Sequence, residues 1–406
     1  MNPHHLFPTR KISSIFPFIL LILSTPAIFA QTPEETVKKF SGNTMGTAWN
    51  VTLVTDSVSI TTADIQSVLD AVDARMSTWK PDSELSVINR TEDISQDIPI
   101  SAEMAKVLAA ALDVSRKTGG AYDITVGPLV NLWSFGPREE TEPFTPPTEE
   151  EIAAAREKCG WESLEILSPE EGKFLLRRKK PGMYIDLSSI AKGYAVDQAA
   201  EMLAGRGITR FMVEAGGEVR VMGRNAKGDL WGIGIETPSI KKSALYGYVK
   251  LDNESLASSG GYRNYRKTAD GKLISHIIDP RTGRPVENHV LAVSVLEENC
   301  TESDAWATAV MVLGPKGTEE LAPERRVLFL TKGEHQADSE TPEVLSFSQD
   351  FPIIIFSHSS AEAQGEPTVS QADGSRTTRF LLPILAVLFF FVGIGFSHFT
   401  GRRKKA

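Results

Sequence analysis

A carboxylate and a hydroxyl stand four residues apart in the last third of the chain, as Asp304 and Thr308 of ESDAWATAVMVLG. The apolar spacing of this segment predicts a helix, on which residues four apart lie on one face, one turn from each other. Hard oxygen ligands at that spacing suit Mg²⁺, which keeps water and substrate phosphate in its remaining positions. An aspartate favoured by the dipole at a helix start, followed by an ordinary threonine, explains the pair at least as well from spacing alone.

A histidine beside a turn, His276 of ISHIIDPRTGRP, is a candidate general base. Histidine is the side chain best placed to accept a proton near neutral pH. Asp279 follows three residues later, and Arg281 and Gly283 belong to the PRTG turn. A structural histidine beside an Asp-Pro turn accounts for the same residues, so the motif alone leaves both interpretations open.

A predicted strand runs into a predicted helix within IDLSSIAKGYAVD, which carries Asp186, Ser188, Ser189 and Lys192. Backbone N–H groups at such a junction can hold phosphate, and Lys192 adds a point charge. Two glycine-rich segments, EAGGE and SSGGYRNY, let the main chain approach a flat or charged group because glycine lacks Cβ. A capped helix with a solvated lysine, and plain turns, are the alternative interpretations.

Short motifs of other enzyme classes are absent from the sequence. It contains no GxxxxGK(S/T), no GxSxG, no HExxH and no GxGxxG that follows a strand and opens a helix. A P-loop enzyme or a conventional Rossmann flavin enzyme is therefore disfavoured. The net charge of −9 gives no basic footprint for nucleic acid, and the apolar content of 41% is ordinary for a globular protein.

The elements that would position these residues predict an α+β fold, with mixed or antiparallel sheets flanked by helices. Helical spacing predicts helices over residues 62–76 and 102–117, and in EEEIAAAREKCG, AKGYAVDQAAEMLAGRG and DAWATAVMVLG. Alternating or β-branched runs predict the strands TAWNVTLVT, GMYIDLSS, RFMVEAGGEVRVMG, LWGIGIET, LYGYVKL and HVLAVSVLE. With 406 residues the chain is long enough for one large domain or two ordinary ones.

Both ends of the chain predict export and anchoring to a membrane. Residues 1–30 combine Arg10 and Lys11 with an apolar run and small residues near Ala30, as in a cleaved secretory signal peptide; a retained signal anchor is the alternative. Residues 380–399 are long and apolar enough to span a bilayer, and the basic tail 400–406 follows at once. Because basic residues stay on the cytoplasmic side, we expect a single span in the cytoplasmic membrane with the body on its periplasmic or extracytoplasmic side.

The body is expected to cover residues 41–332, with 333–379 as a polar linker to the membrane segment. One apolar patch near Phe351 interrupts that linker and is alternatively a last strand of the body. The two cysteines, Cys159 and Cys300, could pair in an oxidising compartment, although two are too few for a disulfide framework. Two free, buried thiols fit the sequence equally well.

Taken together, the motifs resemble those of the ApbE family, the FAD:protein FMN transferases. They come in the family's order over about residues 43–315: TMGT, STWKPDSELSVIN, GGAYDITVGPLVNLW, IDLSSIAKGYAVD, EAGGEVRVMG, SSGGYRNY, HIIDPRTGRP and the DxxxT of DAWAT. No single motif is specific, but the ordered set is. The resemblance implies an ApbE-type, T-fold-like α+β domain.

The resemblance also implies roles for individual residues. The positions with which the family binds FAD are matched by Met45, Trp79, Ala121, Tyr122, Asp123, Asp186, Lys192 and His276. Its magnesium ligands are matched by Asp304, Thr308 and the backbone carbonyl of Ser189, and its catalytic base by His276. Trp79 stands where tyrosine is common, a change that a stacking platform tolerates. Ala307 and Gly261 stand where some members carry a polar side chain, so neither of them offers one.

The implied reaction is phosphoryl transfer with FAD as substrate and Mg²⁺ as cofactor. A threonine hydroxyl of an acceptor protein attacks the FMN-side phosphorus, AMP leaves, and His276 takes the proton directly or through Asp279 or water. The implied acceptors are subunits of membrane redox complexes with a motif similar to DxxTSATx, which this chain lacks. Two alternatives remain: a magnesium-dependent FAD pyrophosphatase that gives FMN and AMP, and a non-catalytic flavin-binding protein of the cell envelope.

Overall fold

Antiparallel strands with helices packed against them make up the fold in a computed structural model of the chain, which describes residues 36–55, 59–137, 144–238, 244–261, 264–331, 343–346, 348, 350–356 and 369–371. Of residues 343–346 and 369–371 it describes the backbone. The predicted signal peptide at 1–30, membrane span at 380–399 and basic tail at 400–406 lie outside these ranges. Within them, no helix combines the length and the apolar character that a membrane span requires.

Helices alternate with strands in the first half of the chain, and strands dominate the second half. The first half contains β1 (Val37–Thr44), β2 (Thr47–Val54), α1 (Thr62–Met76), α2 (Glu84–Arg90), β3 (Ile98–Ile100), α3 (Ala102–Lys117), α4 (Gly127–Leu132), α5 (Glu149–Arg156), β4 (Leu164–Glu170), β5 (Lys173–Arg178) and α6 (Ala191–Gly205). The second half contains β6 (Phe211–Ala215), β7 (Glu218–Met222), β8 (Trp231–Glu236), β9 (Leu245–Leu251), β10 (Ser255–Gly260), β11 (Tyr265–Lys267), β12 (Leu273–Ser275), β13 (Ile278–Asp279), β14 (Arg284–Pro285), β15 (Val290–Glu297), α7 (Cys300–Leu321), β16 (Arg326–Thr331), β17 (Glu343–Ser346), β18 (Ile353–Phe356) and β19 (Val369–Gln371).

The central sheet runs in the order β1-β2-β6-β7-β10-β15-β16-β17, and each neighbouring pair is antiparallel. Because side chains alternate between the faces of a strand, β15 sends Val293 and Val295 to one face and Ala292 and Leu296 to the other. Helices α1, α3, α6 and α7 contribute to the core on the first face. A second sheet, β19-β18-β9-β8, packs on the other face. This layered arrangement confirms the predicted α+β class.

The segment expected as a linker, 333–379, contributes three strands to the fold. β17 extends the central sheet at β16, and β18 lies between β9 and β19 in the second sheet. Phe351 and Ile353 are buried in the core between the two sheets. Gly247 makes room for β18, since a Cβ there would lie 2.5 Å from the Ile354 carbonyl oxygen. The apolar patch near Phe351 therefore leads into a strand of the body, the alternative that its composition left open.

The observed helix bounds match the predicted ones where the residue just before the helix caps it. α1 begins after Thr61, whose hydroxyl accepts a hydrogen bond from the Asp64 N–H while the Asp64 carboxylate accepts one from the Thr61 N–H. Ser101 caps the start of α3 through its hydroxyl. Both helices have the predicted bounds, 62–76 and 102–117.

Two predicted local structures are wrong. GMYIDLSS is extended chain with one isolated bridge from Tyr184 to Val126, because its backbone bonds with a side chain instead: Ile185 exchanges two hydrogen bonds of 2.8 Å with the amide of Asn89. The start of SSGGYRNY, expected as a turn, is the end of β10, which pairs with β15 as far as Gly260. In both cases the partner is distant in the sequence and overrides the local pattern.

Both cysteines are free and buried. The Cys159 thiol donates to the Ala155 carbonyl at 3.4 Å, and the Cys300 thiol donates to the Val219 carbonyl at 3.7 Å. Burial raises the pKa of both thiols, that of Cys159 to about 12. Of the two alternatives for these residues, free thiols are the one found.

Candidate active site

The candidate site forms where α6 and α7 cross at Gly193. The Gly193 N–H donates to Asp304 Oδ2 at 2.9 Å, and a Cβ on Gly193 would lie 2.1 Å from the Cys300 carbonyl oxygen. Only glycine allows the two helices to approach this closely. One turn along α6, the Asp197 carboxylate accepts hydrogen bonds from the N–H groups of Cys300 and Thr301 and so caps α7. The crossing fixes Asp304 beside the first turn of α6.

Next to Gly193, Lys192 lies between two carboxylates. Its Nζ is 2.9 Å from Glu218 Oε1 and 3.7 Å from Asp304 Oδ1, and both acids are only 3% exposed. Burial raises the pKa of Glu218 to about 8, against the opposing effect of Lys192. Burial also raises the pKa of Asp304, again against Lys192. Burial alone would lower the pKa of Lys192, but the two carboxylates outweigh it and the pKa is raised.

Lys192, Glu218 and Asp304, called the Lys192 cluster below, comprise one basic and two acidic side chains, and one of the carboxylate oxygens is unsatisfied. When both acids are ionised, Lys192 balances one of them and leaves a net negative charge. Glu218 Oε2 is buried and accepts no hydrogen bond from any residue that the structure describes. A buried carboxylate oxygen without a partner costs free energy unless a cation or a donor reaches it. The cluster therefore has the charge and the open acceptor that a bound cation would satisfy.

Two hydroxyl pairs border the Lys192 cluster. Thr308 follows Asp304 by one turn of α7, and its Oγ1 is 3.5 Å from Ser259 Oγ on β10. On the loop before α6, Ser189 Oγ donates to the Tyr122 hydroxyl at 3.1 Å. The pKa of Tyr122 is raised by burial first, and the Asp304 carboxylate acts in the same direction. Asp304 and Thr308 thus lie one turn apart on α7, and Ser189 lies on the loop that leads into α6, the helix that Asp304 contacts at Gly193.

The side-chain atoms at the α6–α7 crossing that could coordinate a metal ion are oxygens. Asp304 and Thr308 offer a carboxylate and a hydroxyl, and Glu218 Oε2 is the unsatisfied oxygen beside them. Across the described ranges, no group of three or more His, Cys, Asp or Glu side chains could hold a metal ion. Oxygen donors of this kind suit Mg²⁺, whereas structural Zn²⁺ prefers nitrogen and sulfur ligands. The residues fit the magnesium site that the family resemblance implies.

His276 is held in one tautomer by a backbone carbonyl. Its Nδ1 lies 3.0 Å from the Asn264 carbonyl oxygen, which also accepts from the His276 N–H at 3.3 Å. Because a carbonyl oxygen only accepts, Nδ1 carries the proton and Nε2 keeps its lone pair. The Phe135 ring stands edge-on to the imidazole, with 6.2 Å between the ring centroids. Burial lowers the pKa of His276, and the charge of Lys192 adds to this against the Asn264 carbonyl, so the ring is a neutral base at neutral pH.

Asp279, the possible proton relay from His276, is engaged elsewhere. Its carboxylate oxygens accept two hydrogen bonds from the Arg281 guanidinium, at 2.9 and 3.0 Å, and a third from the Arg281 N–H at 2.9 Å. A bidentate pair of this kind holds the carboxylate in place. Asp279 therefore stabilises the turn between β13 and β14.

Met45 lies in the turn between β1 and β2. Met45 and Gly46 both have positive φ, 45° and 74°, as a two-residue hairpin turn requires. Because β2 pairs with β6, this turn is next to the Gly216-Gly217 turn that joins β6 to β7. A Cβ on Gly216 would lie 3.3 Å from Glu218 Oε2. Met45 is thus at the edge of the sheet that carries Glu218.

Trp79 and Asp186 lie on two loops. Trp79, between α1 and α2, is 68% exposed, so the face of its ring is open to a stacking partner. Asp186 Oδ1 accepts the Ser188 N–H at 2.8 Å, which shapes the loop before α6. Asp186 therefore belongs to the segment that is gathered at the α6–α7 crossing, whereas Trp79 comes from a separate loop.

The triplet Ala121, Tyr122 and Asp123 is buried. Asp123 Oδ1 accepts from the N–H and the hydroxyl of Thr125, both at 2.7 Å, and Oδ2 accepts from the Trp161 N–H at 3.1 Å. Burial raises the pKa of Asp123 in spite of these bonds. Its carboxylate is thus engaged within the protein.

Three residues of the site are not recognisable as site residues in the sequence: Asn89, Gly193 and Glu218. Each lies in one of the family motifs, within SVIN, AKGYA and EAGGE, but its partner is remote: Ile185 for Asn89, the start of α7 for Gly193 and Lys192 for Glu218. An acid directly after two glycines is the one local signal for Glu218. At Gly261, a Cβ would lie 2.8 Å from Ser275 Oγ, so glycine there suits a tight contact.

Comparison with known proteins gives a consistent result. Residues 45–329 match the model of the ApbE family. The chain is 36% identical over 330 residues to the FAD:protein FMN transferase of Klebsiella pneumoniae (strain 342), covering 80% of this chain and 92% of that protein. It is 42% identical over 287 residues to the FAD:protein FMN transferase of Vibrio cholerae serotype O1 (strain ATCC 39541 / Classical Ogawa 395 / O395), covering 70% and 83%.

Solved structures agree with the sequence relatives. The flavin transferase ApbE from Vibrio cholerae superimposes with a TM-score of 0.68 at 36% identity, over 78% of this chain and 99% of that chain. The apo form of the Pseudomonas stutzeri flavinyl transferase ApbE gives a TM-score of 0.66 at 31% identity, over 77% and 95%. The matched region contains the Lys192 cluster and His276, and the chain belongs to the ApbE family.

Proposed function

We propose that this chain is a FAD:protein FMN transferase that moves the FMN moiety of FAD to a threonine hydroxyl of acceptor proteins and releases AMP. The observation that carries the proposal is the buried Lys192 cluster with its unsatisfied carboxylate oxygen, together with His276, whose Nδ1–H is held by the Asn264 carbonyl. A pyrophosphate needs positive charge, which a cation held at this cluster would supply, and a hydroxyl nucleophile needs a base, which His276 provides.

The transfer forms a bond between the threonine oxygen and the FMN-side phosphorus and breaks the bond from that phosphorus to the bridging oxygen. That oxygen leaves with AMP. His276 Nε2 accepts the hydroxyl proton, because Nδ1–H is already donated to the Asn264 carbonyl. A positioned base of this kind contributes roughly 10²- to 10⁴-fold in rate.

Lys192 and the acids around it prepare the site for the dinucleotide. The Lys192 ammonium stays charged, since Glu218 and Asp304 raise its pKa, and it can face the phosphates. Asp304 and Thr308, with the Ser189 carbonyl, would hold a magnesium ion. Ala307 is buried and has no polar side chain to add. When bound, Mg²⁺ supplies charge neutralisation on the pyrophosphate oxygens.

The proposal includes a place and a class of partner. The predicted signal peptide and the predicted span at 380–399 support a body outside the cytoplasm, anchored to the cytoplasmic membrane. Subunits of membrane redox complexes with a DxxTSATx-like motif are the proposed acceptors. Anchoring raises the effective concentration of the enzyme at such acceptors.

A test uses the full-length protein in detergent, FAD, Mg²⁺ and a soluble fusion protein that displays a DxxTSATx motif, called the acceptor fusion below. We expect flavin fluorescence that stays with the fusion in a denaturing gel, and one AMP for each flavin bound. His276→Ala should keep FAD binding and lose most of the transfer. Free FMN and AMP without labelled fusion would make the chain a pyrophosphatase, and FAD binding without AMP would make it a flavin-binding protein.

A further inference from the structure

A cavity of about 920 Å³ opens between the β13–β14 hairpin and the middle of α7. Its volume lies in the range of ligand sites. Its walls are largely aromatic and aliphatic, from Trp133, Phe144, Ile274, Val286, Val312 and Leu313. Of the residues that the structure describes, those matched to FAD and magnesium binding are not among its lining residues. The residues matched to FAD and to magnesium therefore do not account for this cavity.

Three walls of the cavity come from residues close in the chain to His276, to its neighbour Phe135 or to a predicted magnesium ligand. Ile274 lies on β12, two residues before His276. Trp133 lies two residues before Phe135, whose ring packs edge-on against the His276 imidazole. Val312 lies about one turn of α7 beyond the predicted magnesium ligand of that helix. The lining of the cavity thus begins two residues from His276 along the chain.

The charged residues at the rim of the cavity are paired with acids. Lys272 Nζ lies 2.6 Å from a Glu287 carboxylate oxygen, and the Arg284 guanidinium contacts the Glu149 carboxylate. Exposed pairs of this kind contribute little stability, but they leave the rim without a strong field of one sign. Recognition at this cavity would rest on apolar contact.

We propose that the cavity receives an apolar side chain of the acceptor protein, close in sequence to the residue that is modified. This rests on the proposed transfer to a protein hydroxyl. An acceptor has to cover His276 to deliver its hydroxyl there, so an interface around His276 is obligatory, and the lining of the cavity begins two residues away at Ile274. An apolar side chain is the occupant because the walls are apolar and the rim charges are already paired.

The test fills the cavity from two sides in the full-length protein. Leu313→Trp fills it from α7, and Thr145→Trp fills it from an exposed position of the rim that does not contribute to the core. Leu321→Trp is the matched control, because Leu321 lies on the same helix, is 45% exposed and does not line the cavity. For each variant we would measure the unfolding midpoint, the Kd for FAD, the Kd for the acceptor fusion by fluorescence anisotropy, and transfer.

We expect both filling variants to weaken binding of the acceptor fusion by about tenfold, the equivalent of about 1.4 kcal/mol, with the Kd for FAD unchanged and the control like wild type. In the acceptor fusion, changing one apolar residue near the motif to serine should reproduce this loss, and the two losses should not add.

Other outcomes separate the two proposals. If the folded filling variants bind the fusion as well as wild type, or if wild type does not bind it, docking in the cavity is refuted. Weaker FAD binding in the variants would assign the cavity to the flavin and refute it as well. If binding responds as expected but wild type transfers no flavin, the docking proposal holds and the proposed function fails.

Discussion

At the scale of single residues, the proposed chemistry depends on partners that are remote in the sequence. His276 is a base with a free Nε2 because the Asn264 carbonyl binds Nδ1. Asp304 is positioned by the Gly193 N–H, 111 residues away. Most of the site residues could be predicted from the sequence, through the family resemblance more than through the spacing of the residues. Glu218 could not be predicted, because a glutamate after two glycines becomes a site residue only when the fold buries it against Lys192.

The pH dependence of transfer should report the environment of His276. Its pKa is lowered from 6.5, chiefly by burial, so the neutral base persists below that pH and the rate should fall only as the pH drops through the lowered value. Phe135→Ala exposes the imidazole and should move the acid limb of kcat towards higher pH. The exposed His289→Gln should leave the profile unchanged. An acid limb that stays in place in Phe135→Ala would argue that another group titrates.

Metal binding should depend on Asp304 and on its neighbour Glu218. Asp304→Asn removes a charged ligand and should abolish binding of Mn²⁺, used in place of Mg²⁺ for detection by electron paramagnetic resonance. Glu218→Gln keeps the shape but removes the carboxyl group that could ionise beside a cation, and should weaken binding by roughly 10- to 100-fold, as loss of supporting groups does at other metal sites. Asp279→Asn, whose carboxylate is engaged by Arg281, is the control. Undiminished Mn²⁺ affinity in Asp304→Asn would remove the metal site from the proposal.

At the scale of elements, the bounds of α1 and α3 could be predicted from the sequence, whereas the crossing of α6 and α7 could not. The bounds of α1 and α3 follow from helical spacing and from the caps Thr61 and Ser101. GMYIDLSS has the composition of a strand, yet the Asn89 amide takes the backbone groups of Ile185 that a neighbouring strand would use. The approach of α6 to α7 at Gly193 likewise has no local signature. The site is made by that crossing, which is why sequence spacing alone left each motif ambiguous.

Gly193→Ala should separate α6 from α7. The added Cβ would meet the Cys300 carbonyl oxygen at 2.1 Å, a backbone atom that cannot turn aside. We expect a loss of about 1–3 kcal/mol in the free energy of unfolding, as for other overpacked cores, and a larger loss of transfer because Asp304 moves away from Lys192. Gly205→Ala, at the end of the same helix with no atom within 4 Å of its Cβ, is the matched control and should be neutral or stabilising. Equal urea midpoints and activities for the two variants would contradict a site that depends on the close crossing.

At the scale of the whole molecule, the helices α6 and α7 and the strand β18 lie on opposite faces of the central sheet. α6 and α7 contribute to the core on one face, while β18 joins the sheet that packs on the other. The strands β17, β18 and β19 lie within the segment that was expected to be a tether. If the proposed anchor begins at residue 380, these strands hold the body nearer to the bilayer than an unstructured linker of that length would. An acceptor would then have to present its threonine close to the membrane.

The C-terminal strands should also decide how stable the body is. A soluble form ending after residue 332, the boundary predicted from the sequence, lacks β17 and β18 and exposes the apolar surface that Phe351 and Ile353 cover. Burying side chains of this size contributes about 1.5–3 kcal/mol each, so this form should unfold at clearly lower temperature and urea concentration than one ending after residue 371. Both forms keep His276 and the Lys192 cluster, so a difference in melting cannot come from the site. Coincident unfolding curves would mean that the segment after 332 is a tether after all, and that the second sheet is complete without it.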